Sequence, residues 1–457
     1  MFWPFVKKPK LAKKYKEQID QDALNILEIL QKNGHEAYLV GGCVRDLLLE
    51  HKPKDFDIST SATPEEVKKI VPRSAIIGKR FRIVLARRRL RYSEQTSKNS
   101  LFPNSARKNS LKEIQITTFR RAPVLVEGKI DENVYGNSRD DAFRRDFAAN
   151  ALFLDPFKNK IVDYVGGLDD IKNRSLSVIG DAKLRLEEDP IRIMRAVRFD
   201  SKTSLKIPSA LKKIITENRD LLLKAKKERL REEFLKIWRE PGGNKAFQTL
   251  HKLGILECLV PSLCKKIHQE GYFKIFLKSL KAVENNPWPY ERFNTPYFFF
   301  MSVDLEKNHL PLIAGADQLW TNLHVSKLEK SYLLKMRHNL AYLRRHQKKV
   351  SSQIFRQKRS FDNWSQTFYI LHILREMGLP AYRSCWESWS QLWIDFSTER
   401  SKFSGTQSRT YSSSKRSRND SNSGDKTRKT RKRRRKRSSS PRGKSSSSPR
   451  STKKVNA

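Results

Sequence analysis

Residues 38–60, YLVGGCVRDLLLEHKPKDFDIST, decide how the rest of the chain is read. The apolar run Ala37–Val40 predicts a buried strand, and Val44–Leu49 predicts a helix start with Arg45 in its first turn. Between them, Gly41 and Gly42 let backbone N–H groups approach a phosphate, which a helix start also favours. After the polar turn HKPK, Asp55-Phe56-Asp57 runs into Ile58. On a strand, Asp55 and Asp57 project from one face and Phe56 from the other. Two carboxylates about 7 Å apart on such a face can hold divalent cations. A phosphate cradle followed by two metal ligands points to phosphoryl or nucleotidyl transfer.

Two further clusters lie downstream. A helix over Asp141–Leu152 places Asp146 and Asn150 one turn apart, where both can bond one ligand such as a ribose. The plainer reading is an exposed Arg144-Arg145-Asp146 edge. In Glu188–Phe199, EDPIRIMRAVRF, Asp189, Arg192 and Arg195 recur at i+3 spacing along one helix edge. Carboxylate and guanidinium together offer an acceptor and donors to a base edge, while Arg195 and Arg198 suit phosphates. Asp-Pro is also an ordinary helix start with solvated arginines behind it.

The pattern GGxVRDxLL followed by DxD resembles the signature of the class II nucleotidyltransferases, the superfamily of bacterial poly(A) polymerases and tRNA CCA-adding enzymes. Arg144–Leu152 resembles its RRDFTxNAL segment, with Ala148 replacing threonine; Glu188–Phe199 resembles its EDPxRxLRAxRF element, with Met194 replacing leucine. Glu50 stands where the family usually carries glycine. Asp163, Gly167, Asp169 and Arg174 resemble, more loosely, its flexible connector from head to neck.

The resemblance implies Mg²⁺ on Asp55 and Asp57 in a two-metal mechanism, with Asp146 completing the catalytic acids. Gly41, Gly42 and Arg45 would hold the triphosphate of ATP, Asp146 and Asn150 the ribose, Asp189 and Arg192 the adenine, with Arg145, Arg195 and Arg198 as further substrate-binding residues. Relatives often carry a strand carboxylate where Gln115 stands, and Glu113 lies two residues earlier on the same face, so either Glu113 substitutes or the two carboxylates suffice with Asp146 completing the acidic set, the second being favoured.

The 457 residues suffice for two to four packed units. A net charge of +45 is spread along the chain: residues 401–457 hold 20 Lys/Arg against 2 Asp, which leaves +27 for the first 400. So basic a body attracts a polyanion, RNA above all. No run of about 18 apolar residues exists to span a membrane. Four cysteines without a CxxC pair fit a reducing cytoplasm, and MFWPFVKKPK reverses the order of a secretory signal.

An α+β chain is expected: a nucleotidyltransferase head over 1–140 with a mixed sheet of about five strands, a helical neck over 141–260, a helical RNA-binding body over 261–400, and a disordered Ser/Arg/Lys tail over 401–457. Within the head, Lys16–Asn33 predicts an amphipathic helix, Thr63-Pro64-Glu65-Glu66 a capped helix start, and 87–110 a polar surface excursion between strands. The aromatics of Phe361–Trp393 suit either RNA stacking or a helical core, the core being favoured.

Ile76–Val84, IIGKRFRIV, resembles the poly(A) polymerase branch in its basic pair, as does the arginine-rich tail. The expected function is therefore template-independent transfer of AMP from ATP to RNA 3′ ends, polyadenylating RNA and affecting its decay. A tRNA CCA-adding enzyme is the near alternative, and a non-catalytic RNA-binding protein on the same fold the distant one. RNA 3′ ends and ATP are the partners implied; no protein partner is readable.

Overall fold

The computed structural model describes residues 17–78, 82–89, 111–121, 124–126, 129–131, 134–269, 271–286, 295–307, 309–355 and 361–410. Residues 1–16, the Lys79-Arg80-Phe81 triplet, residues 90–110 of the expected excursion and the tail from 411 onward lie outside these. The chain divides into two units, Met1–Phe403 and Ser404–Ala457; the sheet and the helices that surround the cleft belong to the first.

Ala37–Val40 forms β1, and the sheet gathers around it. β2 (Asp57–Thr60) pairs antiparallel on one side, Leu39 opposite Ile58, and β8 (Phe153–Asp155) pairs on the other. With β3 (Ser74–Ile77), β4 (Ile83–Arg89), β5 (Leu111–Thr118) and β9 (Lys160–Val162), the order is β3-β4-β5-β2-β1-β8-β9. The β2–β5 pair is parallel, Ile58 beside Ile116, which makes the sheet mixed. A separate hairpin joins β6 (Val124–Val126) to β7 (Lys129–Asp131).

One face of the sheet is covered by helices whose start signals were local. Gln21–Lys32 is capped by Asp20, whose carboxylate accepts the N–H groups of Asp22 and Ala23, and it buries Ala23, Ile26, Leu27 and Leu30. Pro64–Ile70 begins in a full capping box between Thr63 and Glu66. These helices pack Val67, Leu27 and their neighbours against Ile58, Ile114 and Ile116. Each fully buried aliphatic side chain of this kind contributes about 1.5–3 kcal/mol.

Three expectations about the head need correction. The sheet has seven strands rather than about five, and it runs past residue 140, because β8 and β9 hydrogen-bond onto β1. At three residues each, they are too short for alternation to announce them. Asp141–Leu152 is not one helix: Ser138–Phe143 is helical, Ala148–Asn150 forms a single 3₁₀ turn, and the chain then enters β8. The cause is local, since the Asp146 side chain takes the N–H of Phe147 (2.9 Å) and offers the backbone an alternative to helix. Finally, β2 begins at Asp57, so Asp55 sits exposed just ahead of the strand rather than on its face.

Glu50 adopts φ 65°, a left-handed conformation, at the position where the family resemblance places glycine.

Beyond β9 the chain is helical. Gly167–Asn173 is held at its start by Asp163, whose carboxylate accepts four backbone N–H groups, from Val165 to Leu168. A Cβ on Gly167 would lie 2.3 Å from the Ala148 carbonyl, so only glycine permits this contact between connector and head. Arg174 closes the helix and donates to Ser204 (2.6 Å). Asp169 is exposed here; Asp170, which sequence reasoning passed over, is buried and accepts the Ser177 N–H.

From Phe147 to Trp393 a single cluster of buried side chains runs through the helices, so the expected neck and body share one core. Trp364, Phe368, Tyr369, Trp389 and Trp393 all lie inside it, Phe368 and Trp393 stacked at 4.8 Å. They are core, not a stacking platform. The helix Pro380–Thr410 runs past the expected start of the tail at 401. Among the described residues no helix is long and apolar enough to cross a membrane.

Candidate active site

β2 sits between β1 and β5, and its alternation decides the site. Ile58 faces the helix-covered core, which leaves Asp57 and Ser59 on the opposite face. On that face Ser59 hydrogen-bonds Thr117 of β5 (2.8 Å). The parallel register sets Gln115, one step before the Ile58–Ile116 pair, level with Asp57. Glu113 is spent elsewhere, in an exposed ion pair with Arg87 (2.8 Å).

Asp57 is half-buried, and burial, reinforced by the charge of Asp55, raises its pKa above the ordinary carboxylate value; Arg145 opposes this only in part. Arg145 is the positive charge near Asp57, but its guanidinium is already engaged. It donates to Asp141 (2.7 Å), to Ser59 Oγ (3.3 Å) and to the Asn150 carbonyl (3.3 Å). Two neighbouring carboxylates without full neutralisation suit a hard divalent cation, which is bound through oxygen.

β1 ends at Gly41 with φ 74° and ψ −132°, a conformation that only glycine adopts without strain, and Gly42–Leu48 follows as a helix. Arg45 is buried under this turn. Its guanidinium holds Asp46 (2.6 Å) and the side-chain oxygen of Asn150 (2.7 Å) and lies 5.0 Å over the Phe199 ring. Asn150 in turn donates to Asp146 (3.3 Å), so the two residues expected at the ribose do meet, though through a bend and not a helix turn.

The facing wall comes from the helices Ile191–Lys202 and Lys227–Arg239. Arg195 donates to Asp146 (2.6 Å), and Arg198 to Glu233 (2.9 Å) and Glu240 (3.0 Å). Burial pushes the Asp146 and Glu233 carboxyls up, but these arginines outweigh it and hold both below their ordinary values. The guanidiniums of Arg195 and Arg198 also lie over the Phe199 ring, at 5.3 and 4.5 Å. Asp189 does not pair with Arg192: it takes both terminal nitrogens of Arg229 (3.0 and 2.8 Å), while Arg192 reaches Glu188 and the Arg185 carbonyl.

These walls enclose an open cleft of about 660 Å³. Gly41, Gly42, Arg45, Asp57, Arg145, Asp146, Asn150, Asp189, Arg192, Arg195 and Arg198 all line it. Asp55, exposed just ahead of β2, is near enough for its charge to act on Asp57. Nine basic against five acidic side chains line the cleft, the balance an anionic ligand requires. Sequence reasoning missed Arg144, Phe199, Lys202, Arg229, Glu232, Glu233 and Lys236. For the last four the only signal was the charged face of KERLREEFLKIW, which reads as an ordinary solvated helix.

Residues 37–177 match the poly(A) polymerase head-domain family, and residues 204–267 match the family described as a probable RNA- and SrmB-binding site of polymerase A. Poly(A) polymerase I of Haemophilus influenzae is 36% identical over 255 residues, covering 53% of this chain and 52% of that protein. Poly(A) polymerase I of Salmonella typhi is 33% identical over 287 residues, covering 62% and 60%. In these segments the chain is similar to poly(A) polymerases, and its curated relatives include CCA-adding enzymes. The match spans only about half to three-fifths of those curated relatives. A CCA-adding enzyme of Lactobacillus helveticus is 37% identical over 228 residues, covering 50% of this chain and 52% of that protein. Among solved structures, the Bacillus stearothermophilus CCA-adding enzyme in complex with CTP aligns with a TM-score of 0.53 over 81% of this chain and 82% of that one. Its 22% identity makes this a likeness of fold.

Proposed function

We propose that this chain transfers AMP from ATP to RNA 3′ ends without a template. In that reaction the terminal 3′-hydroxyl oxygen attacks the α-phosphorus and forms a P–O bond, the bond from that phosphorus to the α,β-bridging oxygen breaks, pyrophosphate leaves with its electron pair, and the hydroxyl proton passes to solvent. One observation carries the reading: Asp57, with its pKa raised by burial and Asp55, faces an arginine-rich cleft beside a glycine turn. Mg²⁺ held by Asp55 and Asp57 would lower the pKa of the attacking hydroxyl and stabilise the charge gathering on the phosphates.

The chain's own residues divide the remaining work. Gly41 keeps the backbone open to the triphosphate, and Arg145 sets positive charge beside it. Arg45, pinned by Asp46 and Asn150, holds the turn in place. Asp146, already fixed by Arg195 and Asn150, forms the ribose side and does not serve as a third metal ligand, because its oxygens are committed. Asp189, Arg229 and Arg192 frame the base end. The basic body, net +27 over the first 400 residues, would hold RNA through its phosphates, so binding weakens steeply with salt.

Addition of CCA to tRNA is the second reading, favoured by CCA-adding relatives at 36–37% identity. Incubating the chain with a generic RNA and each nucleoside triphosphate in turn separates the two. Long tails from ATP alone support AMP transfer. A few residues added only to tRNA, and only with CTP present, support the second reading. No incorporation with any triphosphate overturns both.

A further inference from the structure

Outside the cleft, four side chains with metal-binding atoms converge on the helical body. His251 lies in the helix Gly243–Lys252, Glu257 in Ile255–Leu259, and Cys264 in Pro261–Ile267, which His268 caps. Their donor atoms, one from each residue, all lie within 4.8 Å of one another. Cys264 Sγ is 4.0 Å from His251 Nδ1 and 3.9 Å from His268 Nε2. Glu257 Oε1 is 3.8 Å from His251 Nδ1 and 3.7 Å from His268 Nε2.

Nitrogen-to-oxygen distances of 3.7–3.8 Å are too long for hydrogen bonds, whose usual limit is about 3.2 Å. Only long contacts through the Cys264 sulfur, to both imidazoles and to Glu257, join the four atoms. In a tetrahedral zinc site, metal bonds of about 2.0–2.3 Å put neighbouring donors roughly 3.3–3.6 Å apart. The four edges given above exceed that by a few tenths of an ångström, within the reach of small side-chain rotations.

We propose that His251, Glu257, Cys264 and His268 form a closed four-coordinate site for a divalent transition metal, Zn²⁺ by its donor chemistry. One thiolate, two imidazoles and one carboxylate are the ligand types zinc takes, and a full protein ligand set is the mark of a structural site. Cys264 and His268 are four residues apart, so one helical turn presents both on the same face. Cys264 is buried at 2% exposure, whereas His268 and Glu257 are exposed, which gives the ion a path in from solvent. Burial and the neighbouring Glu257 push the thiol up to about 12, so an ion arriving here displaces the thiol proton to solvent. The ion would clamp three successive helices, joining the end of the segment matched to an RNA- and SrmB-binding family to the residue just beyond it.

The test uses the full-length untagged chain. Elemental analysis after dialysis against zinc is expected to give one zinc per chain. Titration with Co²⁺ is expected to give thiolate-to-metal charge-transfer and tetrahedral d–d absorption with one equivalent. Cys264→Ser is expected to abolish the charge-transfer band, and His268→Ala, at an exposed position that tolerates truncation, to weaken Co²⁺ binding at least about tenfold, since even outer-sphere partners carry about 10–100-fold in affinity. Chelation is expected to lower the melting temperature of the parent chain and leave that of His268→Ala unchanged. Absence of tetrahedral absorption in the folded parent chain overturns the site, as does Co²⁺ binding undiminished in His268→Ala.

Discussion

Asp57 and the carboxylates of the helical wall are treated in opposite ways. On the sheet side, Asp57 is raised by burial and by Asp55. On the helical side, Glu233 is buried and Glu240 half-buried, yet Arg198 and its basic neighbours hold both below the ordinary range. Burial acts in the same direction on both; what differs is whether the protein supplies the countercharge. The helical acids are satisfied from within and shape the wall. Asp57 is neutralised only in part, by Arg145.

The strongest way to break this contrast is Asp57→Ala. AMP incorporation is expected to fall by about 10³-fold or more, with RNA affinity by filter binding nearly unchanged. Retained turnover would sink the assignment of Asp57 as the metal-facing acid. Arg198→Ala should act on stability instead. Removing the guanidinium takes one ion-pair partner from each carboxylate and leaves Glu233 with Lys236 and Arg195 and Glu240 with Lys202, at a cost of about 1.5–3 kcal/mol in urea denaturation. A loss below about 1 kcal/mol would mean that solvent reaches the pair and that this wall resembles an exposed surface.

Acid sharpens the contrast through the sign of each shift. Asp146, Glu233 and Glu240 have depressed folded-state values, so their stabilisation is present above the ordinary carboxylate range and is lost as pH falls through those depressed values. Asp57 has a raised value, so its contribution is present below the ordinary carboxylate value and is lost as pH rises through the raised one. Urea midpoints measured from pH 7 downward should therefore fall, and Asp57→Asn should fall more steeply than the parent chain while being at least as stable at pH 7. Identical slopes would remove Asp57 from the account. The smallest effect is expected at Glu50, where glycine relieves a left-handed backbone and Glu50→Gly should stabilise by about 1 kcal/mol. A loss of stability there would show that the Glu50 side chain contributes more than its backbone costs.

Much of the site was legible because its chemistry is local. Gly41-Gly42, Arg45 and Asp57 are fixed within one strand-turn-helix-strand passage, and the Ile191–Lys202 helix carries its arginines at helical spacing. What escaped reading was set by distant partners. Asp189 was expected beside Arg192, but Arg229, forty residues on, offers a two-pronged contact that i,i+3 geometry does not. The bend at Asp146 was hidden because alanines and a leucine around it carry a helical pattern, while one side-chain-to-backbone bond diverts the chain. The His251–His268 cluster comes from three helices and shows no CxxC or HxxxH spacing. Glu50 was the exception: an irregularity in the sequence pattern that marked a real irregularity in the backbone.

Phe199 is contacted by Arg45 from the head and by Arg195 and Arg198 from its own helix. A single benzene ring thus serves as the pivot on which two pieces of the molecule rest. Any opening motion that draws the first piece away must slide a guanidinium off that ring and leave Asn150 with one donor fewer. An aromatic plane thus joins the helix Gly42–Leu48 to the helix Ile191–Lys202.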